Sequence, residues 1–255
     1  MTFHLAAWYE SIDPAGSWEP IAAVSDDRLY TEGDSIRVPS NLTRVLWANA
    51  VTDTASAVGA RLISPSLDRY APLNIAPINT DNDGEVNNPG TGMFMTANPP
   101  ALAPTELVKA EVNTDPSAAG EHFVVMALGD APPSPIRGAQ SFTWRATASA
   151  TLTKGAWTRT EITPDSNLPA GTYGIIGMYA QSATLVAARV ILRTGQQWRP
   201  GCWGTATYNA IENPVQRNGG MGLWGTFDSV DLPAVEWLAG AADTAEHVIF
   251  DLIAM

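Results

Sequence analysis

The sequence predicts an all-β chain made of two similar antiparallel β-sandwiches in tandem. Three observations carry this: the chain repeats at about half its length, its apolar runs are short, and glycine and proline punctuate them throughout. The repeat weighs most, because a fixed internal period decides architecture. Ala60-Arg61-Leu62-Ile63 matches Ala188-Arg189-Val190-Ile191 at an offset of 128, and the same offset sets Tyr70 on Trp198 and Pro72 on Pro200. Glu111, Glu121 and His122 fall on Glu236, Glu246 and His247 at an offset of 125. A third block, Ser40-Asn41-Leu42, falls on Ser166-Asn167-Leu168 at 126. Blocks in one order at nearly one spacing indicate a duplicated unit of about 125 residues.

The repeat also settles local structure. Val235 to Ile253 alone could be a helix, rich as it is in Ala, Leu and Glu. Its counterpart contains Asn113-Thr114-Asp115-Pro116 and Gly120, which would break a helix at its centre. Both segments therefore read as strand, turn, strand: Leu107–Val112 and His122–Leu128 in the first copy, Val235–Leu238 and His247–Leu252 in the second. Thr43–Ala50, Ala57–Ile63 and Gly171–Tyr179 read as further strands, while Ala183–Leu192 fits a strand or a short helix. The 21 glycines and 19 prolines bound these runs, a pattern of sandwiches or barrels rather than of an α/β sheet. About 125 residues accommodate roughly eight strands of about six residues, the size of a jelly roll. The expected division is an N-terminal arm at 1–18, a first roll at 19–130, a Pro-rich linker at 131–138 and a second roll at 139–255.

Composition excludes several functions. One cysteine, Cys202, rules out an intramolecular disulfide framework and a thiolate zinc cluster. A net charge of −12 argues against a nucleic-acid binder, which needs a basic stripe. The charge is lopsided: residues 1–130 hold 17 acids and 6 bases, residues 131–255 hold 9 acids and 8 bases. The start, Met1 to Pro14, has no basic region before a long apolar run, and Arg189 interrupts the longest apolar stretch. Neither a secretory signal nor a membrane-spanning segment is expected.

The side chains that carry chemistry do not assemble into a site. His122 and His247 read as strand histidines at a repeated packing position, and His4 has no evident partner. With one histidine per unit, neither a three-histidine zinc site nor a H-E-x-x-H helix is available within a unit. G-x-S-x-G, Walker A and G-x-G-x-x-G signatures are absent from the chain. Cys202 reads as a structural thiol. Carboxylates are numerous enough to leave a glycosidase pair open, since their separation cannot be read from sequence. Trp47, Trp144, Trp157, Trp198, Trp203, Trp224 and Trp237 lie mostly in or beside expected strands and read as packing residues rather than sugar platforms. Asn79 to Gly84 places Asp81 and Asp83 as a calcium loop would, but position 12 is Gly90 instead of Glu, so an exposed acidic turn is the plainer reading. No catalytic, cofactor-binding or metal-binding residue is nominated.

Two jelly-roll-sized units, a proline-rich joint and no catalytic constellation resemble the double jelly-roll major capsid proteins of tailless, membrane-containing, corticovirus-like bacteriophages. The resemblance covers the chain after residue 18. It rests on the Arg61–Pro72 and Arg189–Pro200 blocks and on the paired Glu-His strands. It implies a non-enzymatic virion protein without cofactors that forms homotrimers, six rolls making a pseudo-hexagonal tile of an icosahedral shell. Neighbouring capsomers, minor capsid or vertex proteins and an internal membrane would be its partners, and nucleic acid would not be contacted directly. On this resemblance the arm, with Trp8 and Trp18, would tie neighbouring subunits or reach the interior layer. The alternative is a carbohydrate-binding or glycoside-cleaving β-sandwich.

Overall fold

In a computed structural model, the structure describes residues 1–12, 16–53, 59–69, 71–80, 86–88, 93–94, 98–113, 119–182, 184–193, 196–204, 218–219, 221–242 and 246–255. Every regular element among them is a strand, and the pairing is antiparallel except where β5 meets β8. The first half contains β1 (Phe3–Ile12), β2 (Trp18–Ile21), β3 (Thr31–Glu32), β4 (Ser35–Arg37), β5 (Arg44–Thr52), β6 (Gly59–Ile63), β7 (Leu73–Ile75), β8 (Ile78–Thr80), β9 (Val86–Asn88), β10 (Met93–Phe94), β11 (Leu107–Asn113) and β12 (Gly120–Gly129). The second contains β13 (Ser141–Ala148), β14 (Trp157–Glu161), β15 (Thr163–Pro164), β16 (Thr172–Gln181), β17 (Leu185–Ile191), β18 (Gly201–Trp203), β19 (Asn218–Gly219), β20 (Gly225–Asp228), β21 (Ala234–Ala239) and β22 (Glu246–Ala254). Residues 131–138 join the halves without a strand.

Each half is a sandwich of two sheets, and the two halves share one strand plan. Sheet 1 runs β1-β12-β5-β8-β9 and sheet 2 runs β3-β4-β11-β6-β7, with β2 also on β11. Sheet 3 runs β15-β13-β22-β16-β19, with β20 also on β16, and sheet 4 runs β14-β21-β17-β18. In both halves the last strand lies between the first strand and a central one, and the chain passes repeatedly from sheet to sheet. This is the jelly-roll arrangement, in which consecutive strands do not simply pair as hairpins. The Ala-Arg-x-Ile blocks become β6 and β17, the strands next to β11 in sheet 2 and next to β21 in sheet 4. Val235–Ile253 is strand, turn, strand, and Ala183–Leu192 contains β17 rather than a helix.

Residues 1–18 are not an arm. All ten residues of β1 pair with β12, from Phe3 opposite Gly129 to Ile12 opposite Gly120, so the first roll begins at residue 3. Trp8 is fully buried, and its indole N–H donates to the Asp34 carbonyl at 2.9 Å. The likeness of β1 to its counterpart β13 is hidden in the sequence because their outward residues differ. Val24 donates to the Ala7 carbonyl and Asp165 to the Arg145 carbonyl, which aligns Ala7 with Arg145 across the two rolls. Phe3, Leu5, Ala7 and Tyr9 in β1 then correspond to Ser141, Thr143, Arg145 and Thr147 in β13.

The same register corrects the histidine match. Ala7 lies opposite Val125 and Arg145 opposite Ile249, so the structural offset between β12 and β22 is 124, not 125. His247 therefore stands where Phe123 stands. Strand side chains alternate, and a slip of one residue sends them to opposite faces. His122 is buried and by alternation shares the inner face with Val124 and Met126. His247 lies on the outer face, half-buried, with its Nδ1 3.0 Å from Arg145 Nη2.

Candidate functional site

The most elaborate polar structure among the described residues lies between the rolls. The outer face of sheet 4 packs on the outer face of sheet 1, and the apolar residues at this junction belong to one buried cluster with the interior of the second roll. Trp47 meets Trp203 with ring centroids 6.4 Å apart, and Tyr9 stacks on Phe123 at 4.6 Å beside the turn before β14. Gly155 sits in that turn with φ +68, and a Cβ there would lie 2.1 Å from the Tyr9 ring. Glycine is required both by the backbone conformation and by the closeness of the two rolls.

At the centre of this junction is Arg189 on β17, 1% exposed. Its Nε donates to Glu236 Oε2 on β21 at 2.6 Å, and its guanidinium lies 4.0 Å over the Trp157 ring on β14. Its Nη1 crosses to the first roll, where it donates to the Leu5 carbonyl at 2.8 Å and to Asp26. Arg199 braces the same Glu236 and adds the neighbour of Asp26: its Nη1 donates to both oxygens of Glu236 at 2.7 Å and its Nη2 to Asp27 at 2.6 Å. Two guanidiniums thus neutralise carboxylates from both rolls, the condition under which charges can be buried at all.

His4 belongs to this cluster, which corrects its reading as an isolated residue. The Arg199 backbone N–H donates to His4 Nδ1 at 3.1 Å, so that nitrogen is unprotonated and the ring proton sits on Nε2. Nε2 donates in turn to Asp26 Oδ2 at 2.9 Å. Burial lowers the His4 pKa, assisted by the two arginines, while Asp26 pulls the other way. Asp26 is held far below the ordinary carboxylate range: burial raises it, but the His4 hydrogen bond and the neighbouring positive charges outweigh that. A second clamp spans the junction at one side, where Glu121 accepts from Tyr9 Oη at 2.6 Å and pairs with Lys154 of the second roll at 2.6 Å.

The remaining candidates do not converge. No group of three or more histidine, cysteine, aspartate or glutamate residues is arranged to hold a metal among the described residues. Asp81, Asp83 and Gly90 lie outside those residues. Cys202 is fully buried on β18 and burial pushes its thiol up to about 12. Trp47, Trp144, Trp198, Trp203, Trp224 and Trp237 are all at most 8% exposed, so none of them offers a sugar platform. Trp18 and Trp157 are half-buried, each beneath an arginine. Among the described residues no helix is long and apolar enough to cross a membrane.

The first roll carries a partial copy of the central cluster. Arg61 on β6 donates from Nε to Glu111 Oε2 on β11 at 2.7 Å and lies 4.1 Å over the Trp18 ring on β2. Arg61 faces Glu111 across the strands just as Arg189 faces Glu236. Here nothing described covers the triad, and Arg61 keeps 25% of its side chain exposed. Sequence reasoning recognised the repeated arginine and glutamate but not their pairing, nor the tryptophans that support them, which fall outside the repeat's constant offset.

No family model matches the chain, and no curated protein matches it. Among solved structures it is similar to the major capsid protein P2 from bacteriophage PM2, with 12% sequence identity over 99% of this chain and 98% of that one. The TM-score is 0.27. The jelly-roll assignment stands on this chain's own strand order.

Proposed function

We propose that this chain is a structural virion protein, the major capsid protein of a tailless bacteriophage, whose activity is self-assembly. The observation that carries the reading is the junction between the rolls. Sheet 4 of one roll packs on sheet 1 of the other, a contact between unlike faces. Among the described residues it leaves one face of each kind uncovered, the outer face of sheet 2 and the outer face of sheet 3. Contacts between unlike faces propagate head to tail and close into rings when the rotation permits. Three chains joined in this way would place six rolls in one ring, a tile suited to an icosahedral shell. The tile would meet neighbouring capsomers, minor or vertex proteins, and an internal lipid layer that separates its acidic surface from nucleic acid.

The rigidity of the unit supports the same reading. Each pair of sheets encloses an apolar core, and the junction adds a third apolar layer that ties the rolls together. The carbohydrate-binding alternative has no support from the tryptophans, which are buried or stacked under arginine. Native mass measurement and negative-stain microscopy of the purified chain test the reading. Trimers or closed shells are expected; a chain that stays monomeric at every concentration and retains glycans would overturn it.

A further inference from the structure

We propose that the outer face of sheet 2, centred on Trp18, Arg61 and Glu111, docks on the outer face of sheet 3 of a second copy of this chain. The inference rests on the self-assembling reading above and gives that assembly its contact residues.

One guanidinium nitrogen distinguishes the two clusters. In the covered cluster, Arg189 uses Nε for Glu236 and Nη1 to cross into the next roll. In the uncovered cluster, Arg61 uses Nε and Nη2 for Glu111, and Nη1 has no partner among the described residues. Trp18 and Glu111 hold the Arg61 guanidinium much as Trp157 and Glu236 hold that of Arg189. A planar donor fixed on two sides, with its remaining amino group outward, is preorganised for an acceptor beyond the sheet.

The register identifies that acceptor. Leu5, whose carbonyl receives Arg189 Nη1, corresponds to Thr143, and Val24 corresponds to Asp165, so Asp26 maps two residues further on, to Asn167. Arg61 Nη1 is therefore directed to the Thr143 carbonyl of the next copy, with Asp165, paired to Arg145 on the same face, as the carboxylate beside it. Asp165 is 39% exposed and now pairs with Arg145 at 2.7 Å, so it is accessible to a second cation.

The two uncovered faces also match in character. Positions that are apolar at the covered junction are polar on both of them. Lys109 and Asn113 replace Ala234 and Leu238 on sheet 2. Thr143, Arg145 and His247 replace Leu5, Ala7 and Phe123 on sheet 3. Faces of this composition are stable in water, so the chain can exist alone before it assembles. Their contact would be wet, reversible and sensitive to salt, unlike the fixed junction inside the chain.

The test compares wild type, Arg61→Glu, Asp165→Arg and the double variant as full chains, by sedimentation at low and high salt with circular-dichroism melts as a folding check. Lys109→Glu on the same face serves if Arg61→Glu does not fold. The expected result is that each single reversal weakens self-association at least tenfold, that the double variant recovers it, and that high salt weakens the wild type. Single variants that associate as the wild type does would overturn this docking while leaving self-assembly intact. A wild type that never self-associates would overturn the function and the docking together.

Discussion

Arg189 and Arg61 each bond a neighbouring glutamate through Nε and stack on a tryptophan, yet burial gives them different energetic roles. Removing Arg189 leaves Glu236 and Asp26 short of a cation in a dry junction, a change that costs about 3–5 kcal/mol. Arg61 is part-exposed, and its pair contributes about 1 kcal/mol or less to the monomer. Urea titrations of Arg189→Met and Arg61→Ala should show that contrast; equal losses would mean that the central cluster is not a buried one. His122 supplies a pH dependence. Burial lowers its pKa to about 4, so the neutral form is the folded form. An unfolded histidine titrates near 6.5, and the stability held by His122 is therefore complete above that pH and lost as pH falls toward 4. The loss amounts to about 3 kcal/mol. His122→Gln should flatten denaturation midpoints measured between pH 7 and 4. Cys202 should react with a thiol reagent only at the rate of unfolding, because the fully buried thiol stays protonated.

At the scale of elements, the informative cases are those in which a strand was expected but its face or role was not. β12 and β22 were legible as strands from their apolar runs, and the Glu-His match located both. The match was nevertheless one residue out of structural register, which reversed the face of one histidine. Short identities in a strand cannot fix register when substitutions on both faces are permitted; cross-strand hydrogen bonds can. β1 shows the opposite problem. Its outward face became apolar to receive sheet 4, and this erased its likeness to β13. The turn before β14 offers a test at this scale. Gly155→Ala adds a Cβ to a left-handed position facing Tyr9, and a loss of about 1–3 kcal/mol is expected by thermal melting. An unchanged melting temperature would mean that the rolls are not so closely apposed.

For the whole molecule, the two rolls behave as one body because their junction is part of a continuous core. Phe3, Leu5, Ala7, Trp47, Phe123 and Val125 are each at most 2% exposed although they point away from the interior of their own roll. Cutting the chain in the linker at 131–138 and producing 1–130 alone should expose this face. The fragment is expected to aggregate or to bind a hydrophobic dye, and co-production with 139–255 should suppress both. A soluble, dye-negative fragment would show that the face is not apolar enough to require its partner.

The sequence by itself determined the all-β class, the duplication and the strands that bear Arg61, Glu111 and Glu236, while the segment around Arg189 stayed open between strand and short helix. Turn residues and short apolar runs act locally, and a duplication preserves their order. Only the tertiary structure decided that residues 3–12 belong to the first sheet, that His4 completes an ion cluster with Asp26 and Arg199, and that one arginine triad is covered while its copy is part-exposed. These depend on which faces meet. His4 and Arg199 lie 195 positions apart in the chain, and nothing local relates them until sheet 4 is laid on sheet 1.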